Sequence, residues 1–163
     1  MMSVETAMRG YARKYGEDEE LWGNVGLVHD FDYERYPDLT GQGHPVVGVN
    51  YLREQGVDEE ILRAILSHAS FTGVLPESRM EKTLVAVDEL TGFITAVALV
   101  RPSRKIADVE VKSIKKKWKE KEFAAGVHRE EIEAAAVGLG VGLDDHLQTV
   151  LDSMKGNAEA LGL

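Results

Sequence analysis

The sequence contains no cysteine among its 163 residues. That excludes disulfides, iron–sulfur clusters and thiolate zinc sites, so any bound metal must be held by nitrogen and oxygen donors. Long hydrophobic runs are also missing. The longest largely apolar stretch, residues 93–100, falls far short of the roughly 20 residues that span a bilayer. The opening Met-Met-Ser-Val-Glu-Thr lacks the basic-then-apolar order of a secretory signal. Positive charge is in deficit: 19 Lys and Arg stand against 28 Asp and Glu, a formal charge of −9. Broad affinity for nucleic acid is therefore not expected, although a local basic patch could hold a small phosphorylated molecule. A composition 44% hydrophobic and 29% charged is that of a globular chain with a sizeable core. One domain over residues 1–163, in the cytoplasm and without a membrane partner, is the economical expectation.

What is present reads as helices, with no strand alternation. Val4, Ala7, Met8 and Tyr11 recur at helical spacing over residues 3–15, and Gly16 is a natural stop. A second helix opens at the acidic run 17–20 and carries Leu21, Trp22, Val25 and Val28, with His29 on the same stripe. Gly23 and Gly26 predict close approach of a neighbouring helix. A loop over 31–43 leads to His44-Pro45, where Pro suits a first helical position and places His44 at the N-cap. The next helix starts near Asp58 with Ile61, Ile65 and His68 on one face. A long helix over 78–100 is apolar nearly all round, which predicts the buried centre of a bundle, and Asp88 lies inside it. Beyond Arg101 come a basic segment, 112–121, and helices over about 129–137 and 143–161.

Five residues stand out as metal-ligand types in this order: His29, Asp30, His44, His68 and Asp88. Imidazole with carboxylate suits iron, manganese, zinc or nickel rather than calcium, and a carboxylate can bridge two ions. Each residue also has an ordinary reading. A lone His on an apolar face is commonly a hydrogen-bonded core residue, and His44 beside a proline could belong to a surface loop. Asp88 is harder to set aside, because a buried unpaired carboxylate costs several kcal/mol. The remaining imidazoles are left out: His128 precedes a helix start, and His146 is read as part of a polar turn, Asp144-Asp145-His146. Asp32 and Glu89 are near enough in sequence to orient the imidazoles from behind, but the preferred reading is of solvent-facing charges.

The stretch Gly26-Leu27-Val28-His29-Asp30-Phe31-Asp32-Tyr33, followed by His44, His68 and Ala86-Val87-Asp88-Glu89-Leu90-Thr91-Gly92, resembles the HD-domain superfamily of metal-dependent phosphohydrolases. The resemblance covers roughly residues 1–100. It implies an all-α helical bundle with a C-terminal helical extension over about 101–163. It further implies that His29, Asp30 and Asp88 hold one metal and that Asp30 bridges to a second held by His44 and His68. Members normally carry one more His on the first helix, and here none precedes His29. Either the natural reading frame starts further upstream or one ligand is lacking.

The function implied is hydrolysis of a small phosphomonoester, phosphodiester or nucleotide by a hydroxide that one or two divalent ions activate, iron or manganese before nickel or zinc. Asp30 and Asp88 are the carboxylates expected to matter most for catalysis. Arg101, Lys112 and Lys116 are candidate substrate contacts, against the plainer reading of a solvated face. Two alternatives stay open: a di-iron oxygenase of the same superfamily, and a non-catalytic metal-binding protein. The amphipathic helices of the extension also suit a homodimer.

Overall fold

Helix ends follow local chemistry. In the computed structural model, which describes residues 1–163, α1 (Met2–Tyr15) stops where Gly16 turns left-handed at φ 72°. α2 (Glu19–Val28) starts at Asp18, whose carboxylate accepts from the N–H groups of Glu20 and Leu21. α3 (Val46–Glu54) and α4 (Glu59–Ser67) follow, then a single 3-10 turn over Ser70–Thr72. α5 (Arg79–Leu99) opens on a capping box: Ser78 accepts from the Glu81 N–H while the Glu81 carboxylate accepts from the Ser78 N–H. After a second 3-10 turn over Ile106–Asp108 come α6 (Val111–Trp118), α7 (Arg129–Gly138), α8 (Leu143–Gly156) and α9 (Ala158–Leu161). The fold is all-α, with no strand.

α5 is the axis of the bundle. Leu84, Val87, Leu90, Phe93, Ile94 and Val97 are buried along it, and α1, α4, α7 and α8 pack around it. α1 and α2 meet where the two glycines predicted close approach. A Cβ on Gly26 would lie 2.9 Å from the backbone of Glu5, and one on Gly23 would lie 2.5 Å from the Arg9 side chain. The residues beyond 101 are not an appendage. Ile106, Val109, Ile114, Ile132, Leu147, Val150, Leu151 and Met154 belong to the same buried cluster as Met8, Tyr11 and Phe93, so the extension closes the core that the first hundred residues leave open.

Three local expectations need correction. The helix expected over 143–161 breaks at Asn157, whose side-chain amide donates to Thr6 Oγ1 at 2.9 Å instead of continuing outward into solvent. His44 is not the N-cap of α3; Pro45 takes that place, after a cis peptide bond, and the helix begins at Val46. His146 does not sit in a polar turn. It lies on α8, fully buried, with Nε2 donating to the Ala86 carbonyl at 2.9 Å and Nδ1 accepting from the Tyr11 hydroxyl. Burial pushes its pKa down, against the Ala86 bond that works the other way.

Candidate metal centre

The three imidazoles are fixed in the same manner. His29 ends α2, is 1% exposed, and donates its Nδ1–H to the Gly26 carbonyl at 2.8 Å. His68 ends α4 and donates Nδ1–H to the Ile65 carbonyl at 2.5 Å. His44 donates Nδ1–H to Asp32 Oδ1 at 2.7 Å, while its backbone N–H bonds the Tyr36 carbonyl and anchors the loop. Carbonyls and carboxylates only accept, so each Nδ1 carries the hydrogen. Each Nε2 is therefore the nitrogen that faces inward, and it would offer its lone pair to a metal on giving up any proton it holds.

Those three Nε2 atoms converge on Asp30. Asp30 Oδ1 lies 3.1 Å from His44 Nε2 and 3.6 Å from His68 Nε2. Its other oxygen, Oδ2, lies 3.5 Å from His29 Nε2, which in turn is 3.2 Å from Asp88 Oδ1. The result is two ligand groups, Asp30–His44–His68 and His29–Asp30–Asp88, each with its donor atoms within 4.8 Å of one another and sharing Asp30. Asp88 is not fully buried; its side chain is 29% exposed, so the cleft is open to solvent on that side.

The electrostatics call for cations here. Burial alone would lower the His29 pKa, but the Asp30 and Asp88 carboxylates outweigh it and push the value up to about 10. Burial would likewise raise the Asp30 carboxyl, yet hydrogen bonds from His29, His44 and His68 hold it well below the usual carboxylate range. His44 is raised for reasons like those at His29, with Asp30 and Asp32 overcoming burial. The Nε2 atoms of His44 and His68 stand 3.1 Å apart. Two lone pairs at that distance repel unless a positive charge, a proton or a metal, lies between or beside them. A divalent transition metal would take the place of those protons, with imidazoles around a shared carboxylate as its ligands.

Asp32 corrects the sequence reading. It is 4% exposed, not solvent-facing, with Oδ1 accepting from His44 and Oδ2 from the Gly48 N–H at 2.7 Å. The only sequence signal was its place two residues after Asp30, which distinguishes nothing in a loop rich in charge. Glu89 does meet an imidazole, but that of His128, whose Nδ1 lies 2.7 Å from Glu89 Oε1. It therefore ties α5 to the start of α7 and takes no part in the cluster.

Arg101, Lys112 and Lys116 are not brought to this cluster. Asp88 lies on α5 and Arg101 just past its end, thirteen residues on, about 20 Å at 1.5 Å of rise per residue. Lys112 is exposed and pairs with Glu110 at 2.6 Å. Arg101 and Lys116 line a separate cleft of about 340 Å³, where Arg101 donates to Ser113 Oγ at 3.2 Å. That cleft adjoins the C-terminal end of α5, where unpaired carbonyls favour nearby cations.

The model of the HD domain matches residues 1–90, more than half of the chain. The chain belongs to the HD-domain family. HD-domain proteins are in general metal-dependent hydrolases that bind divalent ions, and this member has His and Asp groups that could hold one. Comparisons with curated proteins and with solved structures found no match. No helix is long and apolar enough to cross a membrane.

Proposed function

We propose that this HD-domain protein hydrolyses a small phosphate ester, a phosphomonoester, phosphodiester or nucleotide, with the help of one or two divalent metal ions. The observation that carries the reading is the convergence of three Nε2 atoms on the two oxygens of one aspartate, with every Nδ1 already engaged. His44 and His68 with Asp30 Oδ1 would hold one ion. His29, Asp88 and Asp30 Oδ2 would hold the other, with iron or manganese favoured by the mixed donor set. Bound ions would polarise a phosphoryl oxygen and make hydroxide available from water near neutral pH.

The chain's own groups have definable tasks. Asp30 couples the two halves, because each of its oxygens faces a different imidazole set. Asp88, on the rigid central helix and open to solvent on one side, is placed to accept a proton or orient water at the mouth of the cleft. The Gly26 and Ile65 carbonyls and Asp32 prevent the rings from turning, so the donors need no rearrangement on binding.

The test is a reconstitution series. Chelated protein should be inactive on a panel of phosphate esters and regain activity with manganese or iron. Asp88→Asn keeps the side-chain shape but removes its charge, and the rate should fall roughly 100-fold or more, the scale of lost preorganised charge. If fully metal-loaded protein hydrolyses none of the esters, the reading fails. Oxygen consumption by an iron-loaded sample would then mark the oxygenase alternative, and its absence a binding protein.

A further inference from the structure

Beside the metal ligands runs a groove of about 530 Å³, within the ~300–1,000 Å³ usual for small-molecule sites. It lies between the turn that follows Asp30 and the first turns of α3, and Phe31, Asp32, Arg35, Tyr36, Gly48 and Tyr51 line it. Three aromatic rings are exposed there: Phe31 at 40%, Tyr36 at 38% and Tyr51 at 55%. Phe31 and Tyr51 meet at 48°, ring centroids 6.3 Å apart, so a flat ring stacked on one meets the other at its edge. The Arg35 guanidinium lies over the Tyr36 ring, 5.5 Å from its centroid. The one acidic group in the groove, Asp32, is already engaged by His44 and Gly48.

Gly48 keeps this groove and the metal cluster in register. Its N–H holds Asp32, and a Cβ there would come within 2.6 Å of the Asp32 carboxyl and 2.9 Å of the Phe31 ring. The groove floor is thus one hydrogen bond and one imidazole away from the His44 Nε2. We propose that this groove takes a planar heteroaromatic ring bearing acceptor atoms, of nucleobase size, as the non-reacting part of the substrate. The ring stacks on the more exposed Tyr51 with Phe31 at its edge, and Arg35 donates to its acceptors, as guanidinium does to a purine O6 and N7. Esters of aliphatic alcohols gain nothing from such stacking. The groove thereby selects among phosphate esters, an assignment that rests on the hydrolase reading for its biological use but not for its existence.

Inosine, which has the ring but no phosphate, separates the two. In chelated full-length protein, inosine should bind saturably and perturb the amide signals of Phe31, Gly48 and Tyr51. Tyr51→Ala and Arg35→Ala, both at exposed positions that leave the core alone, should each weaken binding about tenfold. Val137→Ala, on the 76% exposed outer face of α7, should not change it. In metal-loaded protein the ratio of kcat/KM for inosine monophosphate over glycerol phosphate should fall about tenfold in Tyr51→Ala, mainly through KM. Inosine binding that ignores both substitutions, or perturbs residues away from the groove, overturns the proposal even if phosphate esters are hydrolysed. Groove-localised binding with no hydrolysis of any ester upholds the groove and sinks the hydrolase reading instead.

Discussion

Asp32→Asn probes how much the metal cluster owes to a residue that does not face it. Asp32 accepts two hydrogen bonds of 2.7 Å, from the His44 Nδ1–H and the Gly48 N–H, with both side chains of the Asp32–His44 pair nearly excluded from solvent. Asparagine has the same shape but a single acceptor oxygen. If that oxygen keeps Gly48, the amide NH2 confronts the imidazole N–H, and His44 must turn its ring or move its hydrogen to Nε2. Either outcome withdraws the lone pair that faces Asp30 Oδ1 at 3.1 Å. A hydrogen bond to a charged partner is worth about 1.5–3 kcal/mol, and tenfold in affinity is about 1.4 kcal/mol. The expected loss is therefore about 10- to 100-fold in metal affinity, in line with other substitutions behind a metal-bound imidazole. Calorimetric titration of the chelated protein with manganese measures it. Asp38→Asn is the control, since Asp38 is exposed and holds only Thr40. A folded Asp32→Asn protein that binds manganese within about threefold of wild type would refute the reasoning.

Asp30→Ala should lose most bound metal by elemental analysis, because both ligand groups contain it, while His128→Ala, whose ring meets only Glu89, should keep its metal. Equal metal content in wild type and Asp30→Ala would remove the shared-carboxylate assignment. Gly26→Ala should lower stability by about 1–3 kcal/mol, since its Cβ meets Glu5 backbone at 2.9 Å and backbone does not yield cheaply. Gly92→Ala, in the open on α5, should instead raise it by about 1 kcal/mol; chemical denaturation decides both, and equal shifts would discredit the packing argument. His146 has a folded pKa below its unfolded value of 6.5, so the unfolded chain takes up the proton first. Its contribution is fully present above about pH 6.5 and is lost as pH falls below it. The stability gap between wild type and His146→Gln should accordingly narrow from pH 7 to pH 5, and a gap that widens on acidification contradicts the buried neutral imidazole.

Much of the helical layout and the ligand order was legible in the chain alone. Gly16 as a stop, the acidic run 17–20 as a helix start and the unbroken apolar surface of α5 act over one or two turns, so their consequences are written within a few residues of each other. The glycines at 23 and 26 announced a close helix contact for the same reason. The chain could not say which charges would be solvated, because that depends on what packs from far away in sequence. Asp32 is buried because α3 returns Gly48 to it across 16 residues. His146 is buried because Tyr11 and Ala86 reach it across 135 and 60 residues. Nor could a string of lysines reveal that Lys116 would meet Arg101 at a separate cleft. Helix periodicity assigned the ligands to their elements, but only the packing of α2 on α4 and of α4 on α5 turned three Nε2 atoms toward one carboxylate.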